Sequence, residues 1–308
     1  MKKYKFIDLF AGCGGLEDGF LQSGRYIDIA AVEWLKPQVN TLIRRLETKW
    51  KVEDAAERVM HFDIQRETEL FAGWDDEKFG SGKGLDYFVN KAQGIDVIIG
   101  GPPCQGFSVA GPRDMNDKRN MLYTAMVELA ERVKPQVVVL ENVPGMVQTN
   151  GGIGAKRVVE DFAKIGYRMV PKLLYAPDYG LPQIRKRVFF VGLRDTDKDF
   201  VFPSPTVEKE HYITCEEAIG DLPSLQKPDG EIIYGEDFQD YVTEPQNDYQ
   251  KKMRERSVKV QNHIGSIPIE KTKRMISLVP EGKNYKALPE EYRGMYKYHE
   301  ALTRCHSK

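Results

Sequence analysis

Residues 3–20 read KYKFIDLFAGCGGLEDGF, and the fold class turns on how that stretch divides. The first eight residues form an apolar run suited to a buried strand, and Gly12, Gly14 and Gly15 follow at once. A helical pattern then runs from Leu16 to Ser23. Strand, glycine turn and helix together open an α/β unit, because glycine lets the backbone reverse tightly and approach a ligand closely. The spacing G-x-G-G is not the dinucleotide fingerprint G-x-G-x-x-G, so taken alone it also fits an ordinary strand–helix turn.

Outward from that unit the alternation repeats. YIDIAAVE (26–33) reads as a second strand, and PQVNTLIRRLETKW (37–50) as a helix with proline in its first turn. MHFDI (60–64) is a short third strand, whereas 65–93 is polar, glycine-dotted and without clear period, an insertion. IDVIIGG (95–101) is strand four, 120–133 a helix, PQVVVLENV (135–143) strand five, and 154–166 another helix. YRMVPKLLYA (167–176) and KRVFFVGLR (186–194) are spaced like a hairpin closing one sheet edge. Fully apolar strand centres alternating with helices predict an α/β fold with a doubly wound, mostly parallel sheet, whose ligands sit beyond the carboxyl ends of the strands. The spacing predicts a domain over 1–200 and an irregular extension over 201–308 whose one convincing helix spans about 248–260. No internal repeat is visible.

The 308 residues are 41% hydrophobic and 10% aromatic, enough for a sizeable core. No apolar stretch approaches the roughly 20 residues of a membrane helix, and the N-terminus reads as the first strand rather than a signal peptide. Cys13, Cys104, Cys215 and Cys305 show no C-x-x-C spacing, which argues against disulfide or zinc frameworks and for a reducing cytoplasm. Net charge is −1, but residues 251–308 hold 14 Lys and Arg against 6 Asp and Glu, while the other 250 hold 31 against 40. That basic tract could track phosphates, and it fits a solvated helical face equally well.

Polar residues cluster at the predicted strand ends. Glu33 closes strand two about 20 residues after the glycine turn, where a carboxylate can hold ribose hydroxyls. Trp34 offers a flat surface for an adenine ring, and Asp63 could accept from its amine; the plain alternatives are a core aromatic and a helix cap. Cys104 lies just past strand four, behind the stiff pair Pro102 and Pro103. Rigid presentation of a thiol suits a nucleophile, against the alternative of an incidental loop cysteine. Glu141 ends strand five, aimed at the same crevice, where a carboxyl group can activate an electrophile for thiolate attack. Arg185 and Arg187, two apart at a strand start, would share one face and suit a phosphate or ring carbonyl; a salt-bridged edge strand is the simpler alternative.

In this order, DLFAGCGGL, VEW, the DI at 63–64, GGPPCQGFS, ENV and QIRKR closely resemble the cytosine-5 DNA methyltransferases of bacterial restriction-modification systems. The blocks cover residues 5 to 195. The resemblance implies a Rossmann-like domain binding S-adenosyl-L-methionine, with Phe10, Gly12, Gly14 and Leu16 lining the cofactor, Glu33 on the ribose, and Trp34, Asp63 and Ile64 on the adenine. Pro102 and Leu122 would complete the pocket. It further implies that Cys104 attacks carbon 6 of a flipped cytosine while Glu141 engages ring nitrogen 3, with Arg187 and Arg185 steadying the ring carbonyl and backbone phosphate of double-stranded DNA. Family members carry a later target-recognition region and a block like GNAVP, neither of which is found here. The expectation is therefore one subunit of a split enzyme, with a second polypeptide supplying recognition, the alternative being a truncated product. Two rival readings are methylation of transfer RNA, whose enzymes usually differ in the loop after the cysteine, and a non-catalytic DNA-binding partner, against which the intact set of Cys104, Glu141 and Arg187 argues.

Overall fold

The computed structural model describes residues 2–103, 122–225, 238–264, 269–280, 283 and 285–292, leaving aside the side chains of 271 and 285. Cys104 and Cys305 lie outside the described residues. The chain divides into two compact units, residues 1–176 with 185–204, and residues 177–184 with 205–308.

The first unit is built on a seven-stranded sheet. Its strands are β1 (Tyr4–Leu9), β2 (Tyr26–Glu33), β3 (Val59–His61), β6 (Val97–Gly100), β7 (Val137–Asn142), β8 (Tyr167–Tyr175) and β9 (Lys186–Arg194); between β3 and β6 a small separate hairpin pairs β4 (Trp74–Asp76) with β5 (Gly80–Gly82). The order is β3-β2-β1-β6-β7-β9-β8. Pairings from β3 through β7 are parallel, and β9 runs antiparallel to both of its neighbours. This is the doubly wound α/β architecture expected from the alternation. Phe6, Ile7 and Leu9 on β1 and Ile98 and Ile99 on β6 are fully buried, as central strands covered on both faces require. Pro171, which lacks a ladder N–H, is tolerated because β8 is an edge strand.

After β1 the chain winds outward through β2 to β3, then crosses to β6 on the other side of β1. The order therefore reverses between β1 and β6, opening a crevice beyond their carboxyl ends. Helix α1 (Gly15–Gln22) follows the glycine turn, and α2 (Lys36–Arg45) follows β2.

Several local expectations need correction. The helix expected over 37–50 ends its α-helical part at Arg45 and closes in a π-turn over Leu46–Trp50. The stretch 65–93, read as aperiodic, holds a helix over Glu67–Ala72, the β4–β5 hairpin and a helix over Leu85–Ala92. The first two elements are shorter than two periods of their hydrophobic patterns, so no repeat could reveal them. In the second unit the helix expected over 248–260 stops at Arg254, and Val260–Gln261 instead pairs antiparallel with Phe238–Gln239. That unit also holds helices over Cys215–Ile219 and Glu270–Leu278, beyond the single helix expected.

Candidate functional site

A cleft of about 590 Å³ lies at the carboxyl ends of β1, β2, β3 and β6, lined among others by Phe10, Glu33, Trp34, Asp63, Ile64 and Leu122. Phe10, Glu33, Trp34, Asp63 and Ile64 meet here because each lies at or within three residues of the carboxyl end of a parallel strand, while Leu122 reaches the cleft from the approach to the helix over Thr124–Val133. Pro103 shares the wall; Pro102 is buried, and Gly12, Gly14 and Leu16 are not among the lining residues. Leu16 packs instead with Phe6, Val97 and Ile99.

Glu33 ties the glycine turn to the end of β2. Its Oε2 accepts from the Gly12 N–H at 2.9 Å and its Oε1 from the Leu35 N–H at 2.8 Å. Each oxygen keeps further lone-pair capacity for a hydroxyl donor. Phe10, Gly12 and Gly14 have φ of 59°, 57° and 79°. Glycine adopts that left-handed geometry freely, whereas Phe10 bears strain, the kind that concentrates at ligand sites. At Gly14 a second constraint operates, since a Cβ would stand 2.5 Å from Leu42 Cδ1 on α2. The missing side chain there serves helix packing, a reason the glycine spacing does not disclose. Asp63 Oδ1 accepts from the Gln65 N–H at 3.0 Å, so part of this carboxylate shapes the turn after β3.

The acid expected from strand five stands beside this cleft. β6 and β7 are parallel neighbours, in register from Val97↔Val137 to Gly100↔Leu140. Glu141 Oε2 lies 3.5 Å from the point a Cβ on Gly101 would occupy, and Gly101 is itself on the cleft wall. The carboxyl group and the cleft thus meet at the residue that opens the loop toward Cys104. Arg187 Nε lies 2.9 Å from Glu141 Oε1, and its Nη1 donates to the Lys186 carbonyl at 2.8 Å. Burial pushes the Glu141 carboxyl above the usual range, and the positive charges of Arg187 and Arg185 offset that only in part. The outcome is an acid inclined to hold its proton next to two guanidinium groups. Arg185 immediately precedes β9, and its carbonyl accepts from the Ala176 N–H at 2.8 Å.

Sequence reasoning passed over Asn142. It is 4% exposed, its Nδ2 donates to the Pro102 carbonyl at 3.0 Å, and its Oδ1 accepts from the Val143 N–H at 2.8 Å. It pins the loop after β6 to the end of β7. The available signal was an amide directly after the candidate carboxylate at the end of an apolar strand. Among the described residues no group of three His, Cys, Asp or Glu is placed to hold a metal ion, and no helix is long and apolar enough to cross a membrane.

The C-5 cytosine-specific DNA methylase family model matches residues 4–304. The Type II methyltransferase M.DdeI of Desulfomicrobium norvegicum is 33% identical over 292 residues, covering 93% of this chain and 63% of that protein. M.BspRI of Lysinibacillus sphaericus, also a Type II methyltransferase, is 32% identical over 300 residues, covering 91% and 67%. The DNA (cytosine-5-)-methyltransferase M.ApeKI of Aeropyrum pernix is 35% identical over 221 residues, covering 63% and 45%. The chain thus spans about two-thirds or less of these relatives. Among solved structures, a provisionally described DNA modification methyltransferase encoded within an E. coli prophage superposes with a TM-score of 0.65 at 23% identity, covering 92% of this chain and 78% of that one, a likeness of fold.

Proposed function

We propose that this chain, which belongs to the C-5 cytosine-specific DNA methylase family, transfers a methyl group from S-adenosylmethionine to carbon 5 of a cytosine flipped out of duplex DNA. The observation that carries the reading is the raised carboxyl group of Glu141, paired with Arg187 and set against Gly101 on the wall of a nucleoside-sized cleft.

The residues of the cleft fit the cofactor. Its volume of about 590 Å³ falls in the range of small-molecule sites. Trp34 and Phe10 provide aromatic surface, Ile64 and Leu122 provide aliphatic surface, and Glu33 is an acceptor for ribose hydroxyls fixed by two backbone donors. Gly12, whose N–H donates to Glu33, holds that acceptor in place from the glycine turn. When bound, S-adenosylmethionine supplies an electrophilic methyl group on its sulfonium.

The chain's own residues do the rest. The sulfur of Cys104 adds to carbon 6 of the flipped base while Glu141, in its protonated form, hydrogen-bonds ring nitrogen 3, so electron density builds at carbon 5. Carbon 5 then takes the methyl group. Loss of the carbon 5 proton and breakage of the carbon–sulfur bond restore the aromatic ring and release the thiol. A free thiol with pKa near 8.5 is only about 3% ionised at pH 7, so the cationic charge of Arg187 and Arg185 would favour the thiolate. Extruding the base costs a few kcal/mol of stacking, repaid by pocket contacts.

The test is transfer of labelled methyl groups to duplex DNA, together with trapping on DNA carrying 5-fluorocytosine. A covalent adduct absent in Cys104→Ala supports the reading; label on DNA without any adduct in the parent protein would overturn the cysteine's role.

A further inference from the structure

Two residues that do not themselves line the cleft contact the Trp34 ring on its wall. Lys78 Nζ sits 4.2 Å from the centre of its ring, and the Phe79 ring meets it in a T-shape at 5.7 Å. Both residues form the tip of the β4–β5 hairpin. That tip is itself held: Asp76 Oδ1 accepts from the N–H groups of Lys78 at 2.8 Å and Phe79 at 3.0 Å, and Asp76 Oδ2 accepts from Arg66 Nη1 at 2.6 Å. Phe79 also meets the edge of His61 at 5.1 Å and of Phe62 at 5.3 Å, and it is only 9% exposed. His61 Nε2 lies 3.0 Å from the Trp34 carbonyl oxygen. Below the tip, Trp74 stacks on Phe62 at 4.1 Å, and Gly82 is a glycine because a Cβ would run into the Trp74 ring at 2.3 Å.

Trp34 is otherwise poorly restrained. It is 46% exposed, has two free side-chain torsions and stands on the cleft wall. A ring that must be ordered when a ligand arrives lowers affinity, whereas one already held does not. Cation–π and edge-to-face contacts fix both the position and the tilt of an indole.

We propose that Lys78 and Phe79 are positioning residues for Trp34, so that the β4–β5 hairpin sets affinity for the adenosine part of the cofactor without touching the reacting atoms. The proposal rests on reading the cleft as the S-adenosylmethionine site. It places an affinity determinant in the stretch 65–93, outside the blocks that carry the family resemblance.

The experiment is calorimetric titration with S-adenosylhomocysteine of the parent protein, Phe79→Leu and Lys78→Met, each also in a Trp34→Ala background, alongside steady-state kinetics. Each hairpin substitution should weaken binding about three- to tenfold, the cost of immobilising one further side chain. The KM for S-adenosylmethionine should rise in parallel, with kcat and the KM for DNA unchanged. In the Trp34→Ala background neither substitution should weaken binding further. A merely structural hairpin would give equal losses in both backgrounds, and that result, or unchanged affinity in the single variants, would overturn the proposal. Failure of the parent protein to bind S-adenosylhomocysteine would instead overturn the reading of the cleft.

Discussion

Arg187 Nε and Glu141 Oε1 stand 2.9 Å apart, an ion pair between antiparallel neighbours β9 and β7. Both side chains are about three-quarters buried, with 26% of each exposed. The pair sets two opposing effects on one carboxyl group. Desolvation favours the protonated form, the guanidinium favours the ionised form, and desolvation is the larger.

Replacing Arg187 by methionine removes the larger of the two charges opposing that proton, so the carboxyl pKa should climb further. If protonated Glu141 is the active form, rate is lost as pH rises through its pKa, and Arg187→Met should move this alkaline limb to higher pH while lowering the plateau. Glu141→Gln should cost roughly 10²- to 10⁴-fold in kcat/KM, the usual worth of a positioned acid. pH profiles of kcat/KM with labelled cofactor check both, and an unmoved limb in Arg187→Met would contradict the coupling.

Asn142→Ala leaves the Pro102 carbonyl without its buried donor. Stability should fall by about 1–3 kcal/mol, the desolvation cost of one orphaned group. Urea unfolding measures the loss. The rate of trapping on 5-fluorocytosine DNA should also fall, because the loop leading to Cys104 loses its anchor.

At Gly14 two costs are separable. Gly14→Ala forces a left-handed φ of 79° on a residue with a Cβ and drives that Cβ into Leu42. Backbone strain is worth about 1–2 kcal/mol and overpacking about 1–3. A Gly14→Ala, Leu42→Ala pair should recover only the steric part, so the double variant should be less destabilised than the sum of the singles. Additive losses would show that the contact with α2 is not the constraint.

Stability should decline as pH rises. Asp28 on β2 is 2% exposed with neither carboxyl oxygen hydrogen-bonded, and burial raises its pKa from 3.8 to about 7, with Arg58 opposing and Asp54 adding to the rise. Glu17 and Asp8 are raised in the same way by burial and by their neighbouring acids. The folded state holds these protons more tightly than the unfolded one. Their neutral forms therefore stabilise fully below about pH 4, and for Asp28 that contribution is lost as pH climbs toward 7. The expected change is on the order of 4 kcal/mol, at about 1.4 kcal/mol per pKa unit. Asp28→Asn should flatten the curve over this interval in denaturant midpoints taken from pH 4 to 8, and an equal slope in both proteins would contradict the assignment.

The amino-acid sequence by itself determined the alternation of strands and helices in the first unit and which polar residues end the strands. Both are local properties: apolar runs of the right length, broken by glycine and proline, specify strand ends without reference to distant parts of the chain. That is why Glu33, Trp34 and Asp63 could be named as one crevice before their strands were placed side by side, whereas Phe10 entered only through the family resemblance. Only the tertiary structure decided what those ends face. The meeting of Glu141 with Gly101, the pairing of Arg187 with that acid, the amide of Asn142 on Pro102 and the hairpin behind Trp34 each depend on sheet order and on side-chain packing between segments far apart in sequence. The hairpin was hidden for a further reason. Strands of three residues are too short to show a period, and Lys78 and Phe79 gain their meaning from the ring they press against rather than from their neighbours along the chain.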